Sequence, residues 1–370
     1  MSLASIVRYF LRLGSTGFGG PVALAERMHH DLVTERGWID ESRYREGLAF
    51  AQLAPGPLAA QLAMYIGWLQ AGVAGAIGAG TAFIAPSFVL VIVAAAAYQR
   101  AGGLPWVAGA LYGAGAAVIA LIARSGYRLA VASLRRDALL WGICAANFAL
   151  VALSRAEHVA AVVASAAIVW RIRGRFPRSI STPTAMAIAV LPVTAPQLAP
   201  MFWFFVKSGT VVFGSGLAIV PFLYGGVVEQ HHWLNDRQFL DAVAVGLLSP
   251  GPIVITVAFM GYLIAGFTGA IVASLGVFLP VLLIVTVAAP HVARIAASRS
   301  AKAAVDGAVA AAVGALLGAV VILASRSLTD GLTWTIAVAG LTLVLSTRRV
   351  PDVAVLTAAA IVGVVARGTG

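Results

Sequence analysis

Charged side chains are scarce in this 370-residue chain. They make up 11% of it, against about 25% in soluble globular domains, while hydrophobic residues make up 61%. That balance excludes an ordinary water-soluble domain. Cysteine is nearly absent: the single Cys144 excludes an intramolecular disulfide and reads as a small buried hydrophobe. No GxxxxGK[ST] phosphate loop occurs, which argues against ATP hydrolysis by this chain. The apolar runs lack the period-2 alternation of barrel strands, so a membrane β-barrel is excluded. No cleavable signal peptide is expected at residues 2–20, because Arg8 and Arg12 interrupt the apolar stretch and no small-residue cleavage pattern follows.

What the chain does have is long apolar runs, at 72–98, 106–123 and 303–325, with a shorter one at 353–366. A bilayer span takes about 20 mostly apolar residues. Backbone groups in lipid must find partners within the segment, so the spans are helices. The expectation is an all-α polytopic membrane protein. The formal charge of +11 has no soluble basic domain to occupy, so it points to the loops rather than to nucleic acid.

The sequence also repeats itself. At a shift of 195 positions, Phe10 falls on Phe205, Gly14 on Gly209, Trp38 on Trp233, Glu41 on Asp236, Tyr44 on Phe239 and Glu46 on Asp241. Pro55-Gly56-Pro57 falls on Pro250-Gly251-Pro252 at the same shift. One deletion changes the shift to 194, where Gly67 meets Gly261, Ala71-Gly72 meets Ala265-Gly266, Pro86 meets Pro280 and Gly113 meets Gly307. Trp141 on Trp334 ends the match. Such a set at a nearly fixed shift marks a duplication. The expected layout is a first copy at 1–175, a linker at 176–200 and a second copy at 201–370.

Basic residues then orient the copies. Arg27, Arg36, Arg43 and Arg45 face Arg237 alone in the matching loop of the second copy. Arg100 alone faces Arg294, Arg299 and Lys302; Arg124, Arg128, Arg135 and Arg136 face Arg326 alone. Arg155 faces Arg348 and Arg349, and Arg171, Arg173, Arg175 and Arg178 face Arg367. The bias reverses at every loop. Positive loops mark the cytoplasmic side, so the copies are expected to be inverted-topology repeats, as in many secondary transporters. Five spans and one broken or re-entrant Pro-Gly-Pro hairpin per copy give about ten transmembrane helices. Arg8 and Arg12 are the exception, which places the N-terminus outside or makes the first segment re-entrant.

A Pro-Gly-Pro inside an apolar segment removes two backbone donors and stops a helix. Transporters aim the resulting half-helix N-termini at anions. Pro55, Gly56 and Pro57, with Pro250, Gly251 and Pro252, are therefore candidate substrate-binding residues. The turns Phe18-Gly19-Gly20-Pro21 and Phe213-Gly214-Ser215-Gly216 join them: their amides can meet an anion, or their small residues can let helices pack closely. Arg12 and Lys207 each lie six residues before a Phe-Gly pair at matching positions. A cation in an apolar run is a functional candidate, and two suit a dianion; snorkelling to the interface is the alternative. Gln52 and Gln61 around the first break, and Ser249 and Thr256 around the second, either donate to an oxyanion or tie helices together.

Other candidates carry less. His29-His30 and His231-His232 do not match between the copies and have no cysteine with them, so no metal is expected. Glu26, Glu35, Glu46, Glu229 and Asp241 are able to relay protons, but all sit in or beside loops, where carboxylates are usually solvated. Only the neighbours Lys207 and Ser208 hint at the in-span group an intramembrane enzyme needs, so the expectation is a transporter and not an enzyme.

At these residues the chain resembles the chromate ion transporter (CHR) family. The family's Phe-Gly-Gly-Pro is matched by Phe18–Pro21 and its Trp-containing loop by Trp38. Its Gln-x-x-Pro-Gly-Pro-x-x-x-Gln pattern is matched by Gln52, Pro55, Gly56, Pro57 and Gln61. The second half looks like the family's Phe-Gly-Gly-Gly and Pro-Gly-Pro, and the resemblance covers nearly the whole chain. Leu24 stands where the family often has His, and Ser215 where it has Gly; both bear on substrate choice. The resemblance implies export of chromate across the inner or plasma membrane, conferring chromate resistance, with sulfate or another small anion as the alternative substrate. Export would run on the membrane potential, a proton gradient or both, by alternating access about a midplane site. The partners expected are the oxyanion, the lipid bilayer and a second copy of the chain in a homodimer, with no cofactor.

Overall fold

Broken helices dominate the architecture. The computed structural model describes residues 2–101, 104–154, 159–174, 198–210, 212, 216–347 and 350–367. The first copy contains α1 (Leu3–Thr16), α2 (Gly20–His29), which runs into a π-helical turn His30–Glu35, α3 (Glu41–Leu53), α4 (Leu58–Ala101), α5 (Pro105–Leu134), α6 (Ala138–Ser154) and α7 (Val159–Arg173). The second contains α8 (Leu198–Thr210), α9 (Val220–Tyr224) with a π-helical turn Gly225–Gln230, α10 (Asp236–Leu248) and α11 (Thr256–Ala288). It continues with the short α12 (Val292–Ala296), then α13 (Arg299–Ser327), α14 (Gly331–Ser346) and α15 (Asp352–Arg367). The two π turns and the pair α3/α10 recur at the 195-residue shift read from the sequence.

Several helices turn back halfway. α4 is two helices: Ala71 has φ −148° and ψ 30°, Gly72 has φ 58° and ψ −141°, and Ala265 and Gly266 repeat these angles in α11 to within about 10°. Only glycine takes the positive φ there without a steric cost. The fold-back is tight, since a Cβ built on Gly67 or Gly261 strikes the carbonyl of Gly75 or Gly269, eight residues on. α3 and the first half of α4 also form a hairpin, closed at its open end by Gln70 Nε2 donating to the Trp38 carbonyl at 3.4 Å. α1 and α2 do the same: the Tyr9 hydroxyl donates to Asp31 at 3.1 Å, and Arg36 stacks over the Tyr9 and Trp38 rings. In the second copy Phe204 packs edge-on to His231 and Trp233 at the matching place.

The long helices interlock the copies. α13 packs against α6 and α7 of the first copy, and α5 against α14 and α15 of the second. Gly113 and Gly307, paired in the repeat, sit at these exchanged crossings: a Cβ on Gly113 meets the Ala359 backbone and one on Gly307 meets Ser165 O. In lipid, where no hydrophobic drive joins helices, such close approach by small residues supplies the attraction. Helix ends are capped locally, as by the Asn235–Gln238 box on α10 and the Asp330–Thr333 box on α14.

Among the described residues four helical segments are long and apolar enough to cross a bilayer: Leu58–Ala101, Pro105–Leu134, Ile253–Ala296 and Arg299–Ser327. The expected ten crossings are more than these account for, because α1 and α8 span 14 and 13 residues, α1 turns back on α2, and the first halves of α4 and α11 are hairpin arms.

Gly113→Val and Gly307→Val should each destabilise the fold by about 1–3 kcal/mol, the usual cost of overpacking. Thermal unfolding in detergent checks this, with Gly142→Ala, where a Cβ meets nothing within 4 Å, as the control that leaves the midpoint unchanged.

Candidate functional site

The hairpins point their tips at one another. The Gly56 amide of the first Pro-Gly-Pro donates to the Val212 carbonyl at 2.7 Å, and the Gly251 amide of the second donates to the Gly17 carbonyl at 2.8 Å. These bonds are the same bond taken twice, since 17 and 212, like 56 and 251, differ by 195. Each Pro-Gly-Pro tip also rests on the long helix of the other copy. A Cβ on Gly251 strikes Ser87 Oγ, and the Ser87 hydroxyl donates to the Pro250 carbonyl; a Cβ on Gly56 meets Val281 Cγ2 at 2.9 Å. Gly56 and Gly251 have φ +134° and +86°, so the turns need glycine for conformation as well as for space.

Between the tips lies a small cavity of about 10 Å³, room for one water. Gly20, Pro21 and Leu24 of α2 line it, with Pro57, Leu58 and Ala59 at the start of α4, Gly216, and residues 251–254 ahead of α11. The first turns of these helices carry backbone N–H groups without intrahelical acceptors, and their dipoles favour negative charge.

The candidate residues separate into three groups. Gly20, Pro21, Pro57, Gly216, Gly251 and Pro252 line the cavity, with Gly19, Pro55, Gly56 and Pro250 in the tips beside them. Gln61, Ser249 and Thr256 are buried but spend their donors on the breaks. Gln61 Nε2 donates to the Pro55 carbonyl at 2.6 Å, Ser249 Oγ to Gly246 O at 2.8 Å and Thr256 Oγ1 to Ile253 O at 2.7 Å. Gln61 Oε1 is buried without a hydrogen-bond partner. Arg12, Phe18, Gln52 and Lys207 are exposed, and none lines the cavity. Phe213, Gly214 and Ser215 lie outside the described residues.

A second, open cavity of about 390 Å³ lies beside it. Glu26, His29, Glu41, Arg45 and Gln52 line it with Val22, Ala25, Tyr44 and Leu48, and Leu58 borders both cavities. Glu41 bridges His29 at 2.7 Å and Arg45 at 2.6 Å, and those hydrogen bonds hold its carboxyl below the usual range. In the second copy the counterparts Leu217, Val220, Pro221, Tyr224, Phe239, Leu240, Val243 and Leu247 are buried, while Asp236 and Ile253, which match Glu41 and Leu58, are half-buried. There α10 packs against α5 and α15, and α9 against α13, so that among the described residues these side chains fill the place of the vestibule. The aligned copies carry the signal for this difference, in Glu26 against Pro221, Arg45 against Leu240 and Gln52 against Leu247. Of His29-His30, His29 pairs with Glu41, and His30 joins Asp31 and Glu35 in a cluster whose ligand atoms lie within 4.8 Å of one another and could hold a metal ion. At the other end burial and the charge of Lys207 push the His231 pKa down.

Apolar helices long enough to cross a bilayer, broken hairpins meeting tip to tip and a polar vestibule define a membrane transport protein rather than an enzyme. The chain belongs to the chromate transporter family, whose model matches residues 4–170 and again 199–364. It is 46% identical to a chromate transport protein of Cupriavidus metallidurans, over 99% of this chain and 93% of that one. It is 43% identical to a probable chromate transport protein of Synechococcus elongatus, over 98% and 95%. A chromate transport protein of Pseudomonas aeruginosa is 30% identical over 76% of this chain and 71% of its own length. No solved structure matches the chain.

Gly56→Ala and Gly251→Ala should each lower the thermal unfolding midpoint of the chain in detergent. The positive φ alone costs about 1–2 kcal/mol, and the clash with Val281 or Ser87 adds to it. Thermal unfolding of the purified variants beside the native chain checks this.

Proposed function

We propose that the chain is a secondary transporter that exports chromate from the cytoplasm across the inner or plasma membrane, and so confers chromate resistance. The observation that carries this reading is the open vestibule at the end where the first copy's basic loop lies, which shares Leu58 with the cavity between the Pro-Gly-Pro tips. Basic loops mark the cytoplasmic side. At one end Asp137 pairs with Arg173, and Asp306 lies near Lys302, Arg173 and Arg135. At the other end Arg237 donates to the Ala108 carbonyl at 3.1 Å, while Tyr112 and Arg367 hold Asp330. That sorting supports two copies inserted upside down relative to each other.

It also gives Arg8 a place. Leu3 and Val7 pack on Gly78, just beyond the Ala71-Gly72 turn, so α1 starts from the basic end, dips to the tips and returns as α2. On this reading α1–α2 is re-entrant and Arg8 is cytoplasmic. Eight helices among the described residues then cross: the long part of α4, α5, α6, α7, the long part of α11, α13, α14 and α15. α6, α7, α14 and α15, at 15–17 residues, require local thinning of the bilayer.

Export by alternating access follows. Chromate enters from the cytoplasmic vestibule, reaches the N-terminal amides at the tips, and leaves when the inverted halves rock and the second copy's arms part. Arg12 and Lys207, one turn before their tips on α1 and α8, supply positive charge along the way. A dianion leaving a negative cytoplasm gains about 4–5 kcal/mol per 100 mV, so the membrane potential drives export, alone or with a proton gradient.

Uptake of labelled chromate into inverted vesicles tests this. Arg12→Ala and Lys207→Ala should each slow it about tenfold, equivalent to about 1.4 kcal/mol in the barrier; normal uptake by both variants removes the role given to the cations. Competition by unlabelled sulfate, with sulfate itself accumulated, would widen the substrate to oxyanions in general.

A further inference from the structure

Asp241 is 1% exposed, a carboxylate inside the protein rather than in a loop. It sits on α10 beyond the first turn, in the half of the molecule where the second vestibule is filled. The hydroxyl of Tyr98, near the end of α4, donates to its Oδ2 at 2.9 Å. The bond therefore ties a hairpin arm of the second copy to the longest helix of the first. At the matching positions of the open half stand Glu46 and Val292, and a valine side chain cannot donate. The packed half has the tie and the open half does not.

The charges around Asp241 are few. Arg237 lies one turn earlier on the same helix and Tyr98 faces it from α4. α11 carries no charged residue. On the remaining neighbours of α10, Arg124 of α5 pairs with Asp352 of α15, Tyr112 of α5 and Arg367 of α15 engage Asp330, and Arg326 of α13 pairs with Glu229 and Asp236. Lys302 and Asp306 of α13 gather with Arg173 near the opposite end. A carboxylate so enclosed, with one hydroxyl donor and one cation on its own helix, is placed where binding a proton changes its bonding most.

We propose that Asp241 is a proton-binding site, and that its protonation from the non-cytoplasmic side releases the Tyr98–Asp241 tie and lets the packed half open. The inference rests on the export reading and adds the coupling ion and its residue. The ionised carboxylate accepts a charge-assisted hydrogen bond from Tyr98 and holds α10 against α4. The proton adds to a carboxylate oxygen, cancels the charge and weakens that bond, so that α10 can move away. One proton enters the half from which the anion leaves, and the two movements oppose each other.

The test uses inverted vesicles, whose lumen is the non-cytoplasmic side, with the membrane potential clamped to zero. Acidifying the lumen should speed labelled chromate uptake by the native chain at least about fivefold, the low end of ordinary coupling between two sites. Asp241→Asn, which still accepts from Tyr98, should lose that acceleration while exchanging labelled for unlabelled chromate at equal concentrations. Tyr98→Phe, which has no tie to release, should likewise exchange chromate and lose most of the acceleration. Acceleration that persists in Asp241→Asn overturns the proposal. So does a native chain that exchanges chromate normally and ignores lumen pH, which leaves export itself standing. A native chain that neither takes up nor exchanges chromate overturns the export reading, and this inference with it.

Discussion

Two backbone hydrogen bonds, Gly56 N–H to Val212 C=O and Gly251 N–H to Gly17 C=O, hold the centre of this molecule. A helix broken at the middle of a bilayer leaves amides and carbonyls with no water to take them, at a cost of several kcal/mol each. The chain meets that cost by exchange: each Pro-Gly-Pro tip finds its acceptor at the other copy's Phe-Gly turn. Neither copy is complete alone. The same demand fixes the glycines, because a side chain on either would strike Val281 or Ser87 of the opposite long helix. The first helical turns of α2 and α4 begin at the small cavity between the tips, where the export proposal places the anion.

Duplication gives the tips their symmetry, and divergence gives the molecule its direction. The vestibule at the basic end is lined by Glu26, His29, Arg45 and Gln52, whereas its counterpart is filled by Pro221, Tyr224, Leu240 and Leu247. The export proposal takes this difference between the two ends as one end state of its cycle. The exchanged packing of α5 on α14 and α15, and of α13 on α6 and α7, means that one half cannot shift without moving the other.

Much of this was legible in the sequence. The shift of 195 residues located both Pro-Gly-Pro tips, because matched tryptophans and Pro-Gly-Pro triplets at one fixed shift are hard to obtain by accident. What the sequence read less well is informative. Ala71-Gly72 and Ala265-Gly266 aligned, yet nothing in an alanine-rich run announces a chain reversal, which depends on a positive φ at one glycine. Gln61, Ser249 and Thr256 read equally as donors to an anion or as ties between helices; in the structure their donors go to backbone carbonyls at the breaks. Asp241 read as a loop carboxylate because it lies only five residues after Asp236. Its burial comes from α4 and α5, remote in sequence, and no local pattern encodes that.

The central claim is that one path opens to the cytoplasm while its counterpart is shut. Cysteine accessibility measures this most directly, with Cys144 replaced by serine and single cysteines placed at Gln52 or Leu247. A membrane-impermeant maleimide should label the cysteine at 52 from the cytoplasmic side alone. The cysteine at 247 should resist labelling at rest and become reactive from the opposite side while chromate is being transported. Labelling of both positions at once from their respective sides in the resting protein, or of position 52 from the outer side, would contradict the account.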